Sequence, residues 1–324
     1  MTTAKVVAFG GGHGLSASLR ALRRCAPELD LDITAVVTVG DDGGSSGRLR
    51  AERGGLPPGD LRQALVALAG DHPATRRSAG LFQHRFAEVP ASPDGDALAG
   101  HAVGNLVLHG LMELLGDPVA ALEHAGAMLG AVGRVLPMSC EPVGIEARVR
   151  GVDPEHPDEV RTVTGQHQVA VTAGRVESLR LTPAAPRACP QALTAIGAAD
   201  WLIFGPGSWY TSVLPHLLVP ELAGAIVSSP ARRLVTLNLA AEKETLGLSV
   251  ADHLAALRWY LPELKVDFVL ADSKAVGDPE PVERAAESLG ARLVLAPVAV
   301  TDGTPRHDPA ALGAALVPVL GADR

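Results

Sequence analysis

KVVAFGGGHGLSASLRAL, residues 5–22, decides the fold. KVVAF (5–9) reads as a buried strand, and Leu15, Leu19 and Leu22 then recur at helical spacing. Between them lies a glycine loop in which Gly12-x-Gly14-x-x-Ala17 fits the G-x-G-x-x-G/A dinucleotide pattern in its strand–loop–helix setting. Glycine permits positive φ and close backbone approach, and the helix behind it offers free N–H groups and a positive dipole end. Gly10, Gly11, Gly12, His13 and Gly14 are therefore read as a phosphate loop, the plain alternative being a tight turn. His13 has no second histidine at ligand spacing, so it reads as a loop residue rather than a metal ligand.

The same alternation continues outward. DITAVVTV (32–39) predicts a second strand, and WLIFG (201–205), RLVTLNL (233–239), VDFVLAD (266–272) and ARLVLAP (291–297) predict four more, with helical patterns between them. Asp60 sits where a helix cap belongs, a longer helical region over about 101–130 breaks at Gly116-Asp117-Pro118, and Asp308-Pro309 opens a last helix. VGIEARVR (143–150), VRTVTG (160–165) and GRVESLRL (174–181) instead alternate apolar and polar residues, which marks a small antiparallel sheet with one wet face. The expected architecture is α/β: one Rossmann-like three-layer sandwich over 1–324, its sheet mostly parallel, with a β-rich insertion at about 141–187.

Composition narrows the function classes. The chain has 324 residues, 47% of them apolar, and a net charge of −8 without a block of like charges, so a large core is affordable and a nucleic-acid surface is not expected. Cys25, Cys140 and Cys189 lack CxxC spacing; they read as small apolar fillers in a reducing compartment. Neither a secretory leader nor a run of some 18 apolar residues is present, so a cytoplasmic protein without membrane insertion is expected.

In parallel sheets ligands bind beyond the carboxyl ends of the strands, and the unusual loops of this chain stand there. VTVGDDGGSSGRLR (37–50) follows the second strand: Asp41 or Asp42 suits a ribose hydroxyl, the pair alternatively holds Mg2+, and the plain reading is an Asx-turn. Ser45 and Ser46 are anion donors, with Arg48 or Arg50 either supplying charge or facing solvent. Asp60 in GGLPPGDLRQAL reads as a cap or as a third carboxylate of the same site, and Asn105 in GHAVGNLVLHG as a ligand-reading amide or part of a capping turn. Gly205, Pro206, Gly207 and Ser208 form a second glycine loop, with Ser208 as helix cap and Trp209 or Tyr210 available to stack on a base or sugar. Asn238, Glu244 and Thr245 follow the next strand. G-x-x-x-x-G-K-[ST], G-x-S-x-G and HExxH are all missing, which weighs against P-loop NTPases, α/β-hydrolases and zinc proteases.

Together GGGHGLSASLRAL, DITAVVTVGDDGGSSGRLR, LPPGDLRQALVALA, LFQHRF, GHAVGNLVLHGLMELLGD, GRVLPMS and GPGSWYTSVLPHLLVP, with the weaker ADHLAAL, resemble the gluconeogenesis factor family (YvcK). That family is related to the 2-phospho-L-lactate transferase (CofD). The resemblance implies a Rossmann-like fold binding a nucleotide or UDP-sugar, and a role in carbon flux, cell-wall synthesis and cell shape during gluconeogenic growth. It implies Gly10–Gly14 and Gly205–Ser208 for phosphate, Asp41, Asp42 and Asp60 for substrate and metal, and Asn105 and Asn238 for ligand hydrogen bonds. A homo-oligomer and a protein partner in cell-wall synthesis are expected with it. Two departures stand out: His13 replaces an expected threonine, and Glu242-Lys243-Glu244-Thr245 replaces an expected Pro-Gly-Glu-Thr run. The resulting expectation is a nucleotide-sugar-binding regulator without an obvious nucleophile. Its alternatives are a Mg2+-dependent phospho-lactate-type transferase with a nucleotide diphosphate donor and an NAD-binding oxidoreductase.

Overall fold

Six of the seven residues of the first strand are buried, as a strand covered by helices on both faces requires. The computed structural model describes residues 3–88, 96–245 and 247–322. Its strands are β1 (Ala4–Gly10), β2 (Leu31–Val37), β3 (Arg134–Pro137), β4 (Gly144–Arg150), β5 (Val160–Thr164), β6 (Arg175–Thr182), β7 (Trp201–Phe204), β8 (Arg232–Thr236), β9 (Phe268–Asp272) and β10 (Arg292–Ala296). The helices α1 (Gly12–Leu29), α2 (Gly44–Arg53), α3 (Pro58–Leu68), α4 (Pro73–Gln83), α5 (Val103–Leu115) and α6 (Pro118–Leu129) belong to the first half. They are followed by α7 (Gln166–Val171), α8 (Pro190–Gly197), α9 (Pro215–Leu218), α10 (Pro220–Ser228), α11 (Val250–Tyr260), α12 (Glu280–Ser288) and α13 (Pro309–Leu320).

Seven strands pair in the order β10-β9-β8-β7-β1-β2-β3, every pair parallel. The chain winds outward from β1 to β3, returns, and winds outward again from β7 to β10. The order therefore reverses between β1 and β7, which opens a crevice at their carboxyl ends. α1 packs against α3 and α13 on one face; right-handed crossovers place α8, α10, α11 and α12 on the other. This is the mostly parallel α/β sandwich that the sequence predicts.

β4, β5 and β6 form a separate antiparallel sheet in the order β5-β4-β6. Ile145, Ala147 and Val149 of β4 are buried while Arg148 is exposed, the two-faced pattern read from the sequence. α7 lies within this segment and packs against the turn at Trp209–Val213. Asp117 caps α6 through the Val119 N–H, and Asp308 caps α13 through the N–H groups of Ala310 and Ala311. Asp60, by contrast, is no cap: α3 starts at Pro58, after Pro57, and Asp60 stands inside its first turn. Proline's fixed φ suits the first helical position, so the helix begins three residues earlier than expected.

Phe9 and Phe204 pair near the carboxyl ends of the adjacent strands β1 and β7 and stack with ring centroids 4.8 Å apart. His216 meets Phe9 edge-on at 5.5 Å, and its Nε2 lies 3.0 Å from the Val36 carbonyl oxygen. This aromatic floor lies directly under the two glycine loops, which begin at the next residue of each strand. Phe204→Ala should lower the free energy of unfolding by ~3–5 kcal/mol, measured by denaturant titration. A loss under ~1 kcal/mol would show that the floor is not part of the stabilising core.

Candidate functional site

Gly14 sets the geometry. A Cβ built on it would stand 2.3 Å from the Pro206 carbonyl oxygen and 2.5 Å from the Gly207 Cα. Only a residue without a side chain lets the loops after β1 and β7 touch in this way. The contact brings Gly10–Gly14 and Gly205–Ser208 onto one rim, at the point where the strand order reverses. α1 starts there with Gly11 as its N-cap and no side-chain cap bond. The Gly12 N–H that opens the helix donates to Asp60, and the positive end of the helix dipole lies at this loop.

The segment after β2 joins the same rim through α3. The Thr38 N–H donates to the Gly10 carbonyl at 3.0 Å, and the Thr38 hydroxyl donates to Asp60 Oδ2 at 3.1 Å. A Cβ on Gly11 would lie 2.4 Å from that same Asp60 oxygen. A Cβ on Gly59 would lie 2.7 Å from Asp41 Oδ2 and 2.3 Å from Ser46 Oγ. Glycine loop, Asp41, Ser46 and Asp60 are thus neighbours. α2 opens beside them with Gly43 as N-cap, again without a side-chain cap bond.

Asp60 is buried, and desolvation pushes its pKa from 3.8 up to about 7; the Asp41 charge pushes the same way, against the Thr38 and Gly12 hydrogen bonds and the Arg62 charge. Arg62, which sequence reasoning passed over, is itself buried; desolvation lowers its pKa to about 10. Its guanidinium donates to Asn105 Oδ1 at 2.8 Å and to Gln83 Oε1. Only the proximity of Asp60-x-Arg62 at a helix start hinted at it. On the far side of the crevice Glu244 is also buried; desolvation raises it to about 7 while the Tyr210 N–H donates to its Oε1.

Several residues expected to face a ligand are committed elsewhere. Asp42 accepts the His167 N–H at 2.8 Å, which fastens α7 of the insertion to the rim and turns this carboxylate away from Asp60. Among the described residues Asp41, Asp42 and Asp60 do not bring their oxygens together as a triad. Asp41 does accept the Gly43 N–H at 3.0 Å, the Asx-turn weighed for it. Asn105 donates to Ser45 Oγ, which also lies 3.0 Å from His101 Nδ1, so Ser45 and Asn105 brace α2 against α5. Asn238 donates to the Gly207 carbonyl and accepts the Gly207 N–H, both at 2.8 Å, and so shapes the second glycine loop. Ser208 does not cap a helix through its side chain; its hydroxyl donates to Glu242.

Trp209 is fully buried and stacks on His253 at 5.3 Å, and Tyr210 is buried too, so neither ring is free for a base. His13 is exposed at the rim. Arg50 reaches the Gly40 carbonyl at 3.4 Å and Arg48 the Ala99 carbonyl at 2.5 Å.

The raised carboxyls carry a sign. Unfolded, Asp60 loses its proton near 3.8; folded, it keeps it until about 7. The native state therefore binds more protons between those values, and its stability falls as pH rises through that window. Asp60→Asn should raise Tm relative to the parent by on the order of 5 °C at pH 8, and by much less at pH 5, in a thermal melt. Equal differences at both pH values would contradict a buried, protonated Asp60.

Residues 6–295 match the family model described as 2-phospho-L-lactate transferase CofD. A Mycobacterium tuberculosis protein named "Putative gluconeogenesis factor" is 49% identical over 322 residues, covering 98% of this chain and 91% of that protein. The Bacillus subtilis "Gluconeogenesis factor" is 37% identical over 291 residues, covering 90% of this chain and 84% of that one. A crystal structure of a UPF0052 family member from Bacillus halodurans superposes with a TM-score of 0.83 at 33% identity, over 98% of this chain and all of that one. The chain belongs to the CofD family and, within it, to the gluconeogenesis factors.

Proposed function

We propose that the crevice between the β1 and β7 loops binds a nucleotide diphosphate sugar of the UDP-sugar class, and that the protein acts as a cytoplasmic regulator through that binding. The observation that carries this reading is the contact of Gly14 with Pro206 and Gly207, which sets two amide-rich loops side by side at the switch point. A diphosphate is the ligand that such a rim suits: its oxygens accept several N–H donors, and the dipole of α1 favours the charge. Placed there, the base and sugar would extend along the crevice to either side. The names of the relatives support a role in carbon flux during gluconeogenic growth, from which control of cell-wall synthesis and cell shape would follow.

Calorimetric titration with UDP-N-acetylglucosamine should give saturable binding in the parent protein. Gly14→Ala should weaken it at least ~10-fold, about 1.4 kcal/mol, in a sample whose circular dichroism matches the parent. Absence of heat with every UDP-sugar tried would reject the reading.

A second reading, a Mg2+-dependent transferase of the phospho-lactate type, is favoured by one observation: the like charges of Asp41 and Asp60 sit close enough that Asp41 raises the Asp60 pKa. A divalent cation relieves such repulsion, and Mg2+ is commonly held by one or two carboxylates plus substrate phosphates. Asp41 and Asp60 fit that donor set; Asp42 does not. Bound there, the ion would neutralise phosphate charge, while the chain's own groups orient the donor: the Gly11–Gly14 amides, and Arg62 through its charge. If this reading holds, 10 mM Mg2+, a concentration chosen as roughly saturating for a site of this kind, should raise Tm at pH 8 in the parent but not in Asp60→Asn. An equal shift in both proteins would count against a metal at these carboxylates.

A further inference from the structure

The residues that follow α4 are zipped to those that precede α5. The His84 carbonyl accepts the Val103 N–H at 2.9 Å, the Phe86 carbonyl accepts the Gly100 N–H at 2.8 Å, and the Phe86 N–H donates to the His101 carbonyl at 3.1 Å. Arg85 and Ala102 form an antiparallel bridge between these contacts. Gly100 makes the bend, with φ at +73°, in the left-handed region that favours glycine.

Two arginines from different elements converge on this bend. Arg48 of α2 donates through Nη2 to the Ala99 carbonyl at 2.5 Å, and Arg85 donates through Nη1 to the Gly100 carbonyl at 2.8 Å. A Cβ on Gly100 would lie 3.5 Å from Arg48 Nη2, so that guanidinium sits against the bend itself. Consecutive Cα atoms are about 3.8 Å apart, so groups held on consecutive carbonyls lie within roughly 10 Å of each other. Both side chains are exposed, and among the described residues neither forms an ion pair with a carboxylate. A carbonyl fixes a guanidinium without neutralising it, and most of its N–H donors stay available. From this convergence we infer that Arg48 and Arg85 form an oxyanion clamp for the phosphate group of a small phosphate monoester, built from groups other than the glycine loops.

The surroundings agree with two uncompensated charges. His101, buried beneath the bend with Nδ1 3.0 Å from Ser45 Oγ, has its pKa lowered by burial; the charges of Arg48 and Arg85 add to this, against that of Glu52. The Arg85 charge likewise adds to desolvation in lowering the pKa of the buried Arg62. Like charges held together by the fold repel until an anion arrives. A phosphate monoester suits the pair better than a carboxylate does: it carries about two negative charges near neutral pH and three terminal acceptor oxygens. The planar fork of arginine matches those oxygens in pairs. The zipped bend holds both side chains in place beforehand, so less freedom is lost when the anion binds.

The test is a calorimetric titration with glycerol 3-phosphate at pH 8 and low ionic strength. The parent should bind it saturably, and R48Q and R85Q should each weaken binding at least ~10-fold, as expected for losing a charged hydrogen-bond donor. R85K should lose less than R85Q, because lysine keeps the charge without the fork. Gly14→Ala, placed at the crevice, should change the affinity less than ~2-fold, as a separate site requires. Succinate should bind more weakly than the ester. Arg48 and Arg85 also hold the bend, so a second measurement covers a variant that melts early: crystals of the parent soaked in tungstate, a tetrahedral analogue of phosphate. Density within hydrogen-bond distance of both guanidinium groups would support the clamp. Equal affinity in the parent, R48Q and R85Q, succinate matching the ester, or tungstate bound elsewhere would each overturn it. Binding that Gly14→Ala weakens and the arginine variants leave intact would place the ester on the glycine loops and overturn it too. The clamp does not rest on the crevice binding a nucleotide sugar, and a failure of that reading leaves these outcomes unchanged.

Discussion

The approach of two backbones at Gly14 is the constraint on which the rest of the molecule depends. The loop after β1 and the loop after β7 come within van der Waals distance only because no Cβ stands between them. Once they touch, the helix start behind the first loop, the peptide units of the second and the Asp60 carboxylate carried by α3 occupy one rim. The sheet topology makes this placement possible, since β1 and β7 are neighbours whose following helices depart to opposite faces. Strand order and a missing side chain thus act together, one bringing the loops alongside and the other closing the distance.

Around that contact the fold surrounds the rim with braces rather than free ligands. Asn238 holds the Gly207 peptide by both its groups, Asn105 links Arg62 to Ser45, and Asp42 ties α7 to the loop after β2. A backbone site that must offer several N–H groups at once needs such fixation, because amides left to move would lose entropy on every binding event. The groups with unusual electrostatics, Asp60 and Glu244, lie on opposite sides of the rim, each buried and each raised to about 7. Burial holds both towards the protonated form, and a cation or a hydrogen-bond donor arriving with a ligand would favour the carboxylate instead.

Much of this was legible in the chain itself. The strands with uninterrupted apolar runs, the wet-faced insertion and both glycine loops follow from periodicity and from glycine placement. β3 escaped notice because it is four residues long and ends in Pro137, which an edge strand tolerates and which reads as a break. α2 hid inside the glycine and serine loop because it buries only Ser45, Ser46 and Leu49 and so shows no apolar stripe. The braces were not legible at all. His167 is the partner of Asp42 and Gln83 that of Arg62, and nothing local to either residue names a partner so distant. Trp209 misled for a related reason: an aromatic in a glycine loop looks exposed until the helix carrying His253 is folded over it.

The most direct measurement is a crystal structure of the protein with UDP-N-acetylglucosamine. The account predicts diphosphate oxygens within hydrogen-bond distance of N–H groups from both glycine loops, Gly11–Gly14 on one side and Gly207–Ser208 on the other. A ligand bound away from these two loops, with the crevice between β1 and β7 left to solvent, would contradict it.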